Sequence, residues 1–347
     1  MKNLIKGLAF ASLLPVISCN KVIYNNLPVE NRYQTKQNLA GKFGISTGKK
    51  QVDTLRLSGC NTKVSHSVLV DEPGPFCTGF AHNDYCHEHP LFDALENGFT
   101  NIEADIFLKN DKLIVAHISP YFKSHRTLEA LYLRPLSERI NKNNGKVFTV
   151  YNNPVTLMID IKSNGEKTYK VLKPLLEKYR SILSGYENGK MVYRAVTIVL
   201  SGNKPYSSIE NEQNRIAFID EDLRKITLNS VNNNVFVMAS CKYSHLVKWN
   251  GKGAISDTEK KRLRAYIMMA HKIGAKVRLW ASPENKAVWD ELLNCGVDLI
   301  NTDQLVALKN YLTMQQQQKT IDKKNLYSEF SQSFVEVVTS HKLTKSN

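Results

Sequence analysis

The sequence predicts an α/β chain whose main body is a (β/α)8 TIM barrel, on three observations. From Phe80 onward, short apolar runs alternate with longer amphipathic stretches, the pattern of a parallel sheet covered by helices. Eight of these runs fit core strands, the number that closes such a barrel. No Gly-rich phosphate turn follows the first strand, as the open doubly wound alternative has.

In chain order the predicted strands are Gly79–His82, Asn101–Phe107, Thr156–Ile161, Ala195–Leu200, Ile216–Ile219, Val235–Met238, Lys276–Trp280 and Asp298–Asn301. A further strand is predicted at Lys112–His117. Helices are expected over Pro90–Gly98, Tyr169–Ser184 and Thr258–Gly274, the last stopping on a glycine. The barrel is assigned to residues 76–312. Residues 19–75 are polar and poorly periodic and read as a tether. Residues 313–347, with Gln315 to Gln318 and a lysine-rich end, read as a polar tail.

The N-terminus reads as an export signal. Lys2 and Lys6 precede the apolar run Gly7–Ile17, which ends in Val16-Ile17-Ser18-Cys19 and resembles a bacterial lipobox. The expectation is a lipoprotein signal peptide over residues 1–18 and an exported chain, secreted or anchored to the bacterial envelope through lipidated Cys19. Later apolar runs fall well short of a membrane span. Cys60, Cys77, Cys86, Cys241 and Cys295 are odd in number and contain no C-x-x-C pair, which argues against a structural zinc knuckle.

The formal charge of +15 favours phosphate-rich partners. Its lysines are scattered, without the arginine-rich or aromatic-interleaved stripe of a nucleic-acid binder, so no specific nucleic-acid binding is expected. The expected partner of a monomer is a phosphodiester small molecule or a lipid headgroup, with the membrane surface reached through Cys19.

The chemistry concentrates at strand ends. In Asn101-Ile102-Glu103-Ala104-Asp105-Ile106, period-two geometry sends Glu103 and Asp105 to one face, into the barrel. Two buried acids cost several kcal/mol to desolvate unless something compensates them, and a divalent cation does so. Leu157-Met158-Ile159-Asp160-Ile161-Lys162 repeats the construction, adding a third carboxylate at Asp160 and a fixed cation at Lys162. Three carboxylates make a hard oxygen site suited to Mg²⁺ or Ca²⁺. Lys162 either offsets phosphate charge or pairs internally with an acid.

His82 and His117 each close an apolar strand run, where barrel active sites gather. One imidazole accepting and one donating a proton is what displacement at a phosphodiester needs. Arg278 and Trp280 share an inward face and, with Asn301 and Asn83, are read as substrate-binding, Arg278 either meeting a phosphate or pairing with a buried acid and Trp280 either walling the pocket or simply packing at the mouth. Asp84, His87 and His89 read as loop and cap residues before the Pro90 helix, and Asp303 either lines the mouth with Asn301 or, in Thr302-Asp303, makes a turn or helix cap.

Taken together, His82-Asn83, Glu103-x-Asp105, His117 and Asp160-x-Lys162 resemble the superfamily of phosphatidylinositol-specific phospholipases C and glycerophosphodiester phosphodiesterases. Ala81-His82-Asn83-Asp84-Tyr85 and Pro90-Leu91-x-x-Ala94-Leu95-x-x-Gly98 are similar to its subgroup related to the fungal altered-inheritance-of-mitochondria protein. Further similar patches carry the likeness over about residues 76–312. The resemblance implies a PLC-like TIM barrel, a divalent cation on Glu103, Asp105 and Asp160, acid–base histidines at His82 and His117, and a phosphoric diester substrate. Glycerophosphodiesterases typically carry Arg where this chain has Asn83, a neutral amide that brings no charge. Two other classes stay open on the residues alone. One is a non-catalytic surface lipoprotein binding an anionic lipid or glycan in the same pocket. The other is a barrel glycoside hydrolase using two of the carboxylates.

Overall fold

The computed structural model describes residues 75–118, 123–231 and 234–322, all within the compact unit Asp71–Asn347. The predicted signal peptide, Cys19, the tether up to residue 74 and the tail beyond residue 322 lie outside the described residues.

Eleven strands are described: β1 (Phe76–Ala81), β2 (Phe99–Lys109), β3 (Lys112–Val115), β4 (Val155–Ile161), β5 (Gly185–Glu187), β6 (Lys190–Val192), β7 (Val196–Gly202), β8 (Phe218–Asp222), β9 (Phe236–Lys242), β10 (Lys276–Trp280) and β11 (Leu299–Thr302). Eight of them pair in parallel in the order β1-β11-β10-β9-β8-β7-β4-β2, and β2 returns to β1, so the sheet closes into the expected barrel. The added strand β3 pairs antiparallel with the end of β2, bringing Val115 beside Ile106 and the following His117 back toward Asp105.

Closure between β1 and β2 is irregular, with a register shift between Phe76 and Phe80. Asn101 answers it: its Nδ2 donates to the carbonyls of Cys77 and Gly79, both at 3.0 Å. An inward polar side chain thereby satisfies backbone acceptors that the broken ladder leaves open.

The covering helices are α1 (Phe92–Glu96), α2 (Arg134–Lys142), α3 (Gly165–Lys178), α4 (Tyr206–Asn211), α5 (Tyr243–Leu246), α6 (Asp257–Lys272), α7 (Lys286–Cys295) and α8 over residues 305–322. Side-chain caps begin the longer ones. Asn164 accepts from the Lys167 amide, Ser256 from Glu259 and Asn285 from Val288. Helix α8 continues past residue 312, where the sequence reading places the start of a polar tail; Leu308, Tyr311 and Leu312 anchor its first turns in the core.

Alternation along the strands divides the core in two. Ile102, Ala104 and Ile106 of β2 and Leu157, Ile159 and Ile161 of β4 join the large outer core. Phe80, Met158, Val199, Met238 and Leu299 form a separate apolar floor inside the barrel. Burying each such side chain stabilises the fold by roughly 1.5–3 kcal/mol. Toward the C-terminal strand ends the inward positions turn polar: Glu103, Asp105, Ser201, Asp220, Ser240, Arg278 and Asn301 are all buried there. Each acid costs several kcal/mol to bury without partners, so this upper part of the interior is where sequence gives up stability.

Candidate active site

Strands β2 and β4 run in register with Asp105 opposite Asp160, and Glu103 stands two residues below Asp105 on the same face. One oxygen from each of these three carboxylates lies within 4.8 Å of the others. Glu103 Oε2 and Asp160 Oδ1 are buried without a hydrogen-bond partner. A buried, unsatisfied carboxylate oxygen is costly, and two of them converging suit a hard divalent cation. Gly202 leaves the room: its φ is +68°, and a Cβ there would lie 2.0 Å from Asp160 Oδ1. The donor set and the space therefore fit the predicted metal site.

Fixed cations set the charge of these acids. Lys162 Nζ lies 2.7 Å from Asp160 Oδ2 and 3.1 Å from Asp105 Oδ2. Burial alone would raise the Glu103 carboxyl, but Arg278, His82, Lys162 and the Asn83 backbone amide hold it below the usual range. Asp105 goes the other way, pushed up to about 6 by burial and by the neighbouring Glu103 charge. Of the two neighbours, Glu103 keeps its charge and Asp105 takes a proton more readily.

His82 follows β1 and extends its ladder, its backbone N–H donating to the Thr302 carbonyl at 3.0 Å. Nδ1 lies 2.7 Å from Asp303 Oδ1, and Nε2 lies 3.5 Å from Glu103 Oε2. Burial pulls the imidazole down, but the bond to Asp303 and the charges of Glu103 and Asp303 outweigh it and raise its pKa. Asp303 is held in turn by Glu284, which accepts from the Asp303 backbone N–H at 3.0 Å and from the Thr302 hydroxyl.

His117 is the more open imidazole, its side chain 60% exposed against 22% for His82. Its Nδ1 is 3.3 Å from Asp105 Oδ2 and 2.8 Å from the Tyr85 hydroxyl, over whose ring it stacks. The same hydroxyl lies 2.6 Å from both Asp105 Oδ2 and Asn83 Oδ1. A phenol has one proton to give, so it serves one of those acceptors at a time while accepting from His117 Nδ1–H. Asp105, His117 and the loop after β1 are thereby tied together.

The structure brings the predicted metal and catalytic residues into one cluster but revises the substrate-binding set. Arg278 and Asn301 are buried one step below the mouth, and Arg278 Nη1 donates to Asn301 Oδ1 at 3.1 Å. The guanidinium also lies 3.5 Å from Glu103, 4.0 Å from Asp220 and 4.2 Å above the Phe80 ring. Its partners are acids of the barrel interior, so of the two readings the geometry matches the pairing with a buried acid, here Glu103. Asn83 adopts the left-handed backbone that asparagine tolerates, and its amide reaches Asp303 and the Tyr85 hydroxyl. It orients its neighbours. Trp280, half-buried at the end of β10 under Lys242, is the one predicted binding residue that stands at the mouth.

Three contributors escape the sequence reading. Tyr85 is a motif residue whose hydroxyl role only the fold reveals. Asp303 reads as a mouth residue or as a turn or cap, with no sign that it meets Asn83, 220 positions earlier in the chain, and beside it His82. Asp220 is a buried acid of β8 that accepts from Ser201 Oγ at 3.0 Å. By contrast Asp84 keeps the expected structural role, accepting from the Leu91 amide at 2.6 Å and the Tyr132 hydroxyl at 2.8 Å.

Comparison with known proteins finds phosphodiesterase-type domains. Residues 75–220 match the model of an AIM6-like phosphodiesterase domain, and residues 276–305 that of the glycerophosphoryl diester phosphodiesterase family. Altered inheritance of mitochondria protein 6 of Eremothecium gossypii is 32% identical over 67% of this chain and 68% of its own length. The Arthroderma benhamiae homolog is 30% identical over 67% and 82%. The Kluyveromyces lactis protein is 27% identical over 84% and 86%. No solved structure matches the chain. These relatives overturn the expectation of an exported bacterial envelope lipoprotein, because they are fungal proteins named for the inheritance of mitochondria. With a phosphodiesterase-type domain on a closed barrel and this degree of likeness, the chain belongs to the altered inheritance of mitochondria protein 6 family of PLC-like phosphodiesterases.

Proposed function

We propose that the chain is a metal-dependent phosphoric diester hydrolase or lyase acting on glycerophosphodiester-like or phospholipid-derived substrates, with His82 and His117 as its proton-transfer pair. The observation that carries the reading is the convergence of Glu103, Asp105 and Asp160 between two imidazoles, with two of their buried oxygens lacking a hydrogen-bond partner.

Glu103, Asp105 and Asp160 would hold Mg²⁺ or Ca²⁺, which supplies charge neutralisation and polarisation of the phosphodiester. Lys162, next to two of those acids and still partly open, offsets further negative charge as phosphorus becomes more crowded. Asp303 fixes His82 through Nδ1, so that Nε2 is the nitrogen turned to the cluster. Tyr85 and Asp105 occupy Nδ1 of His117 and leave Nε2 for substrate. One imidazole takes the proton of the attacking hydroxyl, the phosphorus–oxygen bond to the leaving alcohol breaks, and the other imidazole protonates that alcohol. An adjacent hydroxyl of the substrate as attacker gives a cyclic phosphate; water gives the open monoester.

The test is a cation-supplemented screen of purified protein across glycerophosphodiesters, lysophospholipids, sphingomyelin, phosphoinositides and nucleotide diesters, followed by phosphorus NMR. Cleavage of at least one class, lost in His82→Ala and His117→Ala, is expected. No cleavage of any class by folded, metal-loaded protein overturns the reading.

A further inference from the structure

We infer that Asn301 is a positioning residue for the cation site: by anchoring Arg278 it holds that guanidinium near enough to balance the Glu103 charge and too far to occupy the oxygen a cation would take. The inference rests on the metal-site reading above and deepens it.

Arg278 reaches across the bore of the barrel. In the strand order β8-β9-β10-β11-β1-β2 it leaves β10 and meets Asp220 of β8 on one side and Glu103 of β2 on the other. Its Nη2 stands 4.0 Å from Asp220 Oδ2 and its Nη1 3.5 Å from Glu103 Oε2. One buried guanidinium thus faces two buried carboxyl groups and closes on neither. A charge-assisted N–H···O bond is about 2.7–2.9 Å long, so Nη1 stops short of the Glu103 oxygen.

Three contacts hold it there. Nη1 donates to Asn301 Oδ1 at 3.1 Å, Nε donates to Ser240 Oγ at 3.3 Å, and the guanidinium carbon lies 4.2 Å from the centroid of the Phe80 ring. Asp220 is occupied in its own right, its Oδ2 accepting from Ser201 Oγ at 3.0 Å. Of the three anchors, Asn301 bears most directly on Glu103. It stands on β11, between the strand that carries Arg278 and β1, opposite Phe80 in the β1–β11 register. It also holds the same nitrogen that points at Glu103.

Glu103 Oε2 therefore keeps no hydrogen-bond partner among the described residues, although two nitrogens, Arg278 Nη1 and His82 Nε2, face it at 3.5 Å. A buried oxygen left open beside a guanidinium is uncommon, because that group has five N–H donors to offer. An open carboxylate oxygen is what a hard divalent cation requires. Without the Asn301 acceptor, the freed N–H has Glu103, the closer of its two acids, within reach. A cation would then have to displace that bond.

The test is calorimetric titration of the full chain with Mg²⁺ alone, in the unaltered protein, Asn301→Leu, Asn301→Asp, Arg278→Met and Arg278→Met/Asn301→Leu. Asn301→Leu should weaken Mg²⁺ binding about tenfold, the low end of what losing the support of a ligand costs. Asn301→Asp keeps an acceptor for Arg278 and should bind Mg²⁺ at least as tightly as the unaltered chain. In the Arg278→Met background, adding Asn301→Leu should cause no further loss. Unchanged affinity in Asn301→Leu, an equal loss in Asn301→Asp, or the same loss with and without Arg278 overturns the inference. If Arg278→Met does not fold, the comparison of Asn301→Leu with Asn301→Asp decides it. No Mg²⁺ binding by the unaltered chain overturns the metal-site reading, and this inference falls with it.

Discussion

Gly202→Ala probes the cation site without touching a ligand. The residue sits at φ +68°, and an added Cβ would fall 2.0 Å from Asp160 Oδ1 and 2.6 Å from the Ile161 carbonyl. The left-handed backbone alone costs an L-residue about 1–2 kcal/mol. The collision moves the Asp160 carboxylate, and disturbing the support of a ligand typically costs 10–100-fold in metal affinity. A cation at a hundred times its dissociation constant stabilises the fold by about 2.7 kcal/mol; with affinity a hundredfold weaker the same concentration gives only ~0.4 kcal/mol. For a chain of this size that difference is roughly 3–5 °C of melting temperature. The assay is thermal unfolding with EDTA and with stepped Mg²⁺ or Ca²⁺. Gly189→Ala is the control, at φ +79° with nothing within 4 Å of a Cβ: it should lower the melting temperature while keeping the cation-dependent rise. If Gly202→Ala gains as much from the cation as the unaltered chain, Asp160 is not a ligand.

Three further outcomes follow from the geometry. Asp303→Asn removes the charge that raises His82, so the His82 imidazole should titrate at lower pH and turnover should fall about 10–100-fold. NMR titration of that imidazole checks this, and an unmoved midpoint would show that Asp303 does not govern it. The Asp84 carboxyl is pushed by burial from its ordinary value of 3.8 up to about 7, so its contribution to stability is full below about pH 4 and lost as pH rises through 7. The loss is on the order of 4 kcal/mol at most; Asp84→Asn should flatten it in urea unfolding at pH 5 and pH 8, and equal slopes in both proteins would refute the assignment. Glu103→Gln leaves Arg278 buried without its nearest counter-charge, at a cost of about 3 kcal/mol or more. Adding Arg278→Met should recover part of that stability in chemical denaturation; no recovery would mean the pair is not what holds Glu103.

Much of the barrel is legible because strand alternation is a local property. Ile102, Ala104 and Ile106 declare the outer face, which fixes the inward direction of Glu103 and Asp105 before any tertiary contact is known. The same reasoning placed Asp160 with Lys162. Depth along the barrel axis is a different matter. Arg278 and Trp280 share a face in the sequence, yet two residues separate a guanidinium sealed against Glu103 from an indole at the mouth. Partners joined only by closure were also hidden: nothing near residue 303 announces that β11 lies beside β1 and delivers Asp303 to His82. The β5–β6 hairpin was overlooked although Asn188-Gly189 is a common two-residue turn. Its strands are three residues each, too short for a periodic signal, and Arg180 and Arg194 grip Glu187 to hold it.

The most direct measurement is the rate of phosphodiester cleavage by purified protein stripped with EDTA and then titrated with Mg²⁺ or Ca²⁺, alongside Asp105→Asn. The account predicts no turnover in the stripped protein, saturable recovery as the cation is restored, and no recovery at matched concentrations in Asp105→Asn. Cleavage at full rate in the stripped protein would contradict it.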